Sequence, residues 1–257
     1  MANEVLLETK DLTMGFAGLK ALTGVNLEIA KGMIHSIIGP NGSGKTTFFN
    51  LVSGIYKPTR GRILFQGKEI TRLKPFQVAE AGIARTFQNI RIFRTMTVME
   101  NVLVGQHCRT KEGLLANALQ LKRIKREEER VKGKTLDVLR MMGLEGKVYR
   151  RATELPYGER RLLEMARALA SDPQLLMIDE PTAGMNERET FETMEIIRRI
   201  QDLGVTVLLV EHHMKVVMGI SSRISVLDHG EKIAEGTPQE IQEDECVIEA
   251  YLVRKKR

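Results

Sequence analysis

The chain alternates between two patterns of apolar residues. In its opening third, short runs such as "VLLETKDL", "GVNLEIA" and "RILFQGKEI" are separated by glycine-bearing turns, and they predict strands. A second kind of run is apolar almost throughout: "MIHSII" (33–38), "LLMI" (175–178) and "VTVLLV" (205–210). Strands of that character are covered on both faces, so these three are expected side by side in a parallel sheet. Between about 97 and 150 helical spacing takes over, with Val131, Val138 and Met142 on one face around expected breaks at Gly133 and Gly143. After it, Leu162, Met165, Ala166, Leu169 and Ala170 follow i, i+3, i+4, i+7, i+8 spacing, so "ERRLLEMARALA" predicts an amphipathic helix ended by "SDP". Strand and helix then alternate through 210. "RISVLDHGEKIAEG" predicts a closing hairpin turned by Asp228, His229 and Gly230. The order is that of an α/β domain.

Composition narrows the reading without changing it. At 257 residues and 42% hydrophobic, the chain can build a substantial core. It holds no apolar run near the roughly 18 residues of a membrane span, and Glu4, Glu8 and Asp11 stand where a signal peptide is basic, so a cytosolic protein is expected. Cys108 and Cys246 lack metal-ligand spacing and read as reduced thiols. The net charge of +6 owes four units to Arg254, Lys255, Lys256 and Arg257, which read as a solvated tail. The run "KRIKREEERVKGK" (122–134) mixes signs around Ile124 and Val131, as an exposed helix does. Neither feature calls for nucleic acid. His35, inside an apolar run, reads as a packed strand histidine.

The chemistry begins at "GPNGSGKTT" (39–47), which matches G-x-x-x-x-G-K-[ST] between a buried-strand pattern and a helical run. Gly39, Gly42 and Gly44, with Pro40, Asn41, Ser43 and Thr47 between and after them, let the backbone aim several N–H groups at phosphate oxygens at a helix N-terminus. Lys45 is placed for the β and γ phosphates, and Thr46 for Mg²⁺. "LLMIDE" supplies acids at a strand end. Asp179 is expected to hold Mg²⁺ through water, and Glu180 to polarise a water for in-line attack on the γ-phosphate.

Four further stretches follow in order: "TFQN", "LPYGE", "DEPTAGMN" and "LLVEHH". With them the chain resembles, over essentially its full length, the ATP-hydrolysing subunits of ABC transporters. That resemblance implies a P-loop NTPase (RecA-like) core with an N-terminal antiparallel β subdomain and a helical insertion. One cassette is expected over 1–257: 1–90 for the β subdomain and phosphate loop, 91–157 for the helical subdomain, and 158–257 for the rest of the core with a C-terminal helix and basic tail. It also implies roles. Phe16 stacks on adenine, Gln88 touches Mg²⁺ and the attacking water, and His212 contacts the γ-phosphate, with His213 where an aspartate often follows. The stretch 183–186 is where two subunits sense each other. Tyr157 and Gly158 bind the ATP held by a second copy or a paralogue, so two nucleotides are sandwiched head to tail. Pro156 departs from the family pattern, which usually has a serine there whose hydroxyl reaches the γ-phosphate.

"TMGFAGLKAL", "RTFQNIRIFRTMTVMENVLVG" and "CVIEAYL" look like the branched-chain amino-acid importer branch of the family, with urea and amide importers as the alternative. The resemblance implies a peripheral subunit on the cytoplasmic face of the membrane, partnered by permease subunits and, indirectly, a substrate-binding protein. A permease helix is expected near Gln88 and the helical insertion, with Phe93 and Met96 as apolar contacts or as packing within the insertion. A soluble ABC ATPase outside transport predicts two cassettes or a long coiled-coil arm, and the chain has neither. A degenerate, non-hydrolysing partner is suggested by Pro156 and His213 but opposed by the presence of Lys45, Gln88, Glu180 and His212.

Overall fold

Two sheets organise the computed structural model, which describes residues 4–16, 18–106 and 121–252, the side chains of 121–128 and 252 excepted. Cys108 and the basic residues Arg254 to Arg257 lie outside the described residues, as does the side chain of Ile124. The first sheet is antiparallel: β1 (Val5–Phe16) lies between β2 (Leu19–Ala30) and β4 (Arg60–Phe65), with β5 (Lys68–Glu69) at the edge. "RILFQGKEI" is therefore a hairpin rather than one strand. Gln66 and Gly67, both at positive φ (51° and 72°), make its two-residue turn.

The second sheet runs β10-β9-β3-β8-β7-β6. It comprises β3 (Ile34–Ile38), β6 (Ile83–Arg85), β7 (Leu175–Asp179), β8 (Thr206–Val210), β9 (Arg223–Asp228) and β10 (Glu231–Gly236), parallel except for β10. The three apolar runs are neighbours, as expected, and every residue of β3, β7 and β8 is buried. Alternation splits them between two cores. Leu176, Ile178, Val207 and Leu209 face the helical side. Leu175, Met177, Leu208 and Val210 face the antiparallel sheet and α1 (Lys45–Val52), whose Phe48 and Phe49 are fully buried. His35 is a buried strand residue with Nε2 2.8 Å from Ser225 Oγ, and burial lowers its pKa to about 4. In the closing hairpin the turn is His229 and Gly230 alone; Asp228 pairs with Glu231 inside the ladder.

On the helical side lie α3 (Val98–Gln106), α4 (Leu121–Met141) and α5 (Tyr157–Leu169), packed through Val98, Val102, Leu139, Met142, Leu155 and Leu163. Gly133 does not break α4. Its α-carbon faces open space, so the helix passes through it at a propensity cost of about 1 kcal/mol. Gly143, at φ 68°, follows the helix end as expected. In α5, Leu162 is only partly buried and the adjacent Leu163 takes the core position. The remaining helices are α2 (Pro75–Ala81), α6 (Glu187–Asp202), α7 (Met214–Ile220), α8 (Pro238–Glu243) and α9 (Glu245–Leu252). Cys246 is a free, exposed thiol. Among the described residues no helix is long and apolar enough to cross a membrane.

Candidate nucleotide site

The loop 39–44 links the end of β3 to the start of α1 at the carboxyl edge of the parallel sheet, where ligands of open α/β sheets bind. Its glycines have positive φ: Gly39 150°, Gly42 79°, Gly44 105°. Gly39 has a second reason to be glycine, since a Cβ there would lie 2.0 Å from the Leu227 carbonyl oxygen of β9. Lys45 turns back into the loop, and its Nζ donates to the carbonyls of Gly39 at 2.7 Å and Pro40 at 3.0 Å. The loop thus curls around a buried cation.

A cavity of about 360 Å³ opens over this loop. Asn41 through Thr47 line it, and opposite them stand Gln88, Glu180 and His212. Glu180 follows directly on β7 and takes φ 49°, a left-handed conformation uncommon outside glycine. Its N–H donates to the Val210 carbonyl at 2.8 Å, which ties the turn to β8. The Gln88 amide nitrogen donates to both Glu180 oxygens at 3.1 Å, and His212 Nε2 lies 2.9 Å from Oε1.

Asp179 lies below rather than in the cavity lining. Its carboxylate pairs with Arg85 at 3.3 Å, both side chains buried, and Arg85 also donates to Asn50 Oδ1 and Ser53 Oγ of α1 and its cap. Burial pushes the Asp179 carboxyl upward, while Arg85 draws it back. Glu211, at the end of β8, is buried as well. It accepts from the Thr182 hydroxyl and from the His212 N–H at 2.7 Å, fixing the backbone on which His212 stands. His213 Nδ1 is 3.4 Å from the same Thr182 hydroxyl.

The turn "LPYGE" lies apart from this cavity. α5 begins at Tyr157, with Pro156 as its N-cap, so Gly158 is within the first helical turn and not in a loop before it. The first intrahelical bond is Arg160 N–H to the Pro156 carbonyl at 3.0 Å. The N–H groups ahead of it have no intrahelical acceptor, and Pro156 supplies no side-chain cap. Tyr157 is half exposed and packs its ring edge 3.3 Å from where a Gly184 Cβ would be, placing the 183–186 stretch beside this turn. Phe16 is also outside the cavity lining. It is partly exposed, and its ring meets Tyr56 edge-on at 5.3 Å.

The cavity therefore gathers Asn41, Gly42, Ser43, Gly44, Lys45, Thr46, Thr47, Gln88, Glu180 and His212. Gly39 and Pro40 form the base of the loop, while Asp179, Phe16, Tyr157 and Gly158 stand outside the lining. Sequence reasoning passed over Arg85, Glu211, Arg161 and Glu164. Glu211 had one visible signal, a charge directly after the strand pattern at 205–210. A second, more apolar groove of about 830 Å³ lies between the core and the helices, with Ile55, Val78, Phe87, Phe93, Val104 and Arg167 among its lining. Phe93 is exposed there under the Arg167 guanidinium; Met96 is half-buried and outside the groove.

Residues 22–183 match the ABC transporter family, and residues 231–252 match the family described as branched-chain amino acid ATP-binding cassette transporter. The high-affinity branched-chain amino acid transport ATP-binding protein LivG of Escherichia coli is 44% identical over 251 residues, covering 97% of this chain and 98% of that protein. The structure of the ADP conformation of an ATP-binding cassette of an ABC transporter superposes with a TM-score of 0.82 at 33% identity, covering 96% of this chain and 98% of that one. A dimeric post-hydrolysis structure of another cassette, bound to ADP and Pi, gives 0.78 at 26% identity, over 91% of this chain and 99% of that one. Motif order, sheet topology and these matches agree: the chain belongs to the ABC transporter family as one of its ATP-binding cassettes.

Proposed function

We propose that this cassette hydrolyses ATP in a head-to-tail sandwich of two copies or paralogues, and that the cycle drives a membrane permease importing branched-chain amino acids. The observation that carries the proposal is the Glu180 carboxylate, held by Gln88 and in contact with His212 in the cavity above the phosphate loop. The loop N–H groups and the α1 N-terminus receive the phosphates, and Lys45 exchanges the Gly39 and Pro40 carbonyls for phosphate oxygens. Glu180 takes the proton of the attacking water, Gln88 fixes the direction of that carboxylate, and His212 contacts the γ-phosphate. Phe16 stacks on adenine in this reading.

Thr46 and Gln88 offer hard oxygen donors in the cavity lining, and Asp179, beneath it in its pair with Arg85, would act through water. Such a set suits Mg²⁺, which keeps waters and draws further ligands from phosphates. Bound there, Mg²⁺ would neutralise charge on the β and γ phosphates.

The N-terminus of α5 offers its first N–H groups and its dipole to a nucleotide on the partner, with Tyr157 and Gly158 nearest. The related dimer bound to ADP and Pi supports that arrangement. The groove beside Phe93 is where a permease helix docks on the cytoplasmic face of the membrane, and the similarity to LivG supports the amino-acid substrate over urea or amides. A substrate-binding protein then acts through the permease, and nucleic acid has no part.

The test is Glu180→Gln. Its turnover is expected to fall by about a hundredfold or more while ATP drives a stable dimer, read by phosphate release and by light-scattering mass. Equal hydrolysis by both proteins removes Glu180 as the base, and a monomer in ATP removes the sandwich.

A further inference from the structure

Arg161 and Glu164 lie about one turn apart on α5, and both are buried, at 5% and 2% exposure. Charges so placed are costly unless polar partners meet them. Their partners are the backbone of the loop that carries Gln88. Residues 86–96 have no helix or strand; backbone bonds hold the loop at Thr86 and Met96, and between them the Gln88 carbonyl and the Arg91 N–H are met by side chains. Glu164 Oε1 accepts from the Arg91 N–H at 3.2 Å, and Arg167 stands 4.0 Å away. Arg161 Nη2 donates to the Gln88 carbonyl at 3.0 Å and to the Tyr157 hydroxyl at 3.0 Å.

The geometry points to Arg161 as a positioning residue that couples the chain's own nucleotide site to the half-site it presents to its partner. This inference rests on the sandwich proposed above. Both bonds leave one guanidinium nitrogen, whose two N–H groups diverge at a fixed angle, and the Arg161 cation also sits 5.4 Å from the Tyr157 ring centroid. Any displacement of Tyr157 therefore pulls on the Gln88 carbonyl. At the other end of the same residue, the Gln88 amide aims the Glu180 carboxylate. A phosphate that settles the start of α5 fixes Tyr157, and Arg161 passes that order to Gln88. Glu164 fastens the next part of the loop, so the adjustment is confined to Gln88.

Because Gln88 governs the geometry of attack more than the hold on the triphosphate, loss of Arg161 is expected to lower kcat with little change in ATP affinity. The experiment compares Arg161→Met, Arg161→Lys, Tyr157→Phe and the double variants in the full chain. ATP turnover is measured against concentration, with equilibrium ATP binding measured in a Glu180→Gln background. Arg161→Met is expected to lose about tenfold in kcat with ATP Kd within about twofold, and Arg161→Lys, which keeps a cationic donor, to recover most of the rate. Tyr157→Phe in the Arg161→Met background is expected to cost nothing further, because the link is already cut. A folded Arg161→Met enzyme with wild-type kcat overturns the inference, and so do losses that multiply in the double variant. Should Arg161→Met not fold, Arg161→Lys paired with Tyr157→Phe decides by the same non-additivity. A wild-type protein that hydrolyses no ATP instead overturns the ATPase reading, whatever Arg161 does.

Discussion

The loop after β3 and the turn before α5 are both helix N-termini that meet phosphate in the proposed sandwich, yet they are finished to different degrees. The first is enclosed by its own chain: glycines at positive φ, a buried lysine at the centre, and Glu180, Gln88 and His212 across a shared cavity. The second has bare N–H groups, a proline cap without a hydroxyl, and a half-exposed tyrosine. A self-contained site binds its ligand as a monomer, whereas an open one acquires its ligand only with a partner. The contrast separates affinity from assembly within a single chain.

The largest way to break that contrast is Lys45→Met. Two charge-assisted bonds to phosphate at about 2 kcal/mol each correspond to a loss of about a thousandfold in ATP affinity, measured by equilibrium binding to the monomer. Gly158→Asp attacks the other half. A carboxylate facing the partner's phosphate is expected to lower turnover by about a hundredfold, while the same binding assay reads near wild type; weakened monomer binding would show that the two regions are not separable. Gly39→Ala probes whether the first loop is held by the sheet. Its Cβ meets the Leu227 carbonyl, so about 1–3 kcal/mol of stability is expected to go, read as a lowered melting temperature without nucleotide. The smallest change sharpens the contrast. Pro156→Ser restores a hydroxyl at the open turn, and one bond to a charged group at about 1.5 kcal/mol tightens the ATP-dependent dimer about tenfold for each of the two nucleotides it meets. An unchanged dimer constant in the Glu180→Gln background would show that the hydroxyl is immaterial.

Local patterns were legible and long-range ones were not. The three central strands could be read because burial on both faces leaves only apolar residues, and the phosphate loop because glycine, lysine and threonine must lie within a few positions of one another. The roles expected of residues 183–186 and of the "LPYGE" turn came only from family resemblance. What the sequence hid were pairings across space. Glu164 and Arg161 look like solvent-facing charges on an amphipathic helix, and nothing nearby in the chain announces that each meets a backbone group 73 residues away. The choice between Leu162 and Leu163 failed for a related reason. Both fit a helical stripe, and the packing of α3 and α4 decides which turns inward. Gly133 misled because breaking a helix depends on what the surroundings demand, and an exposed glycine in a long helix meets no demand.

The left-handed backbone at Glu180 sets evolution two opposing pressures at one codon. The conformation that aims the acid into the cavity is one that glycine or asparagine adopts with less strain, so either substitution is expected to relax the chain while, in the mechanism proposed above, it removes the base. A Glu180→Gly variant is therefore expected to keep its fold while it loses turnover. Selection on turnover alone keeps the acid in place.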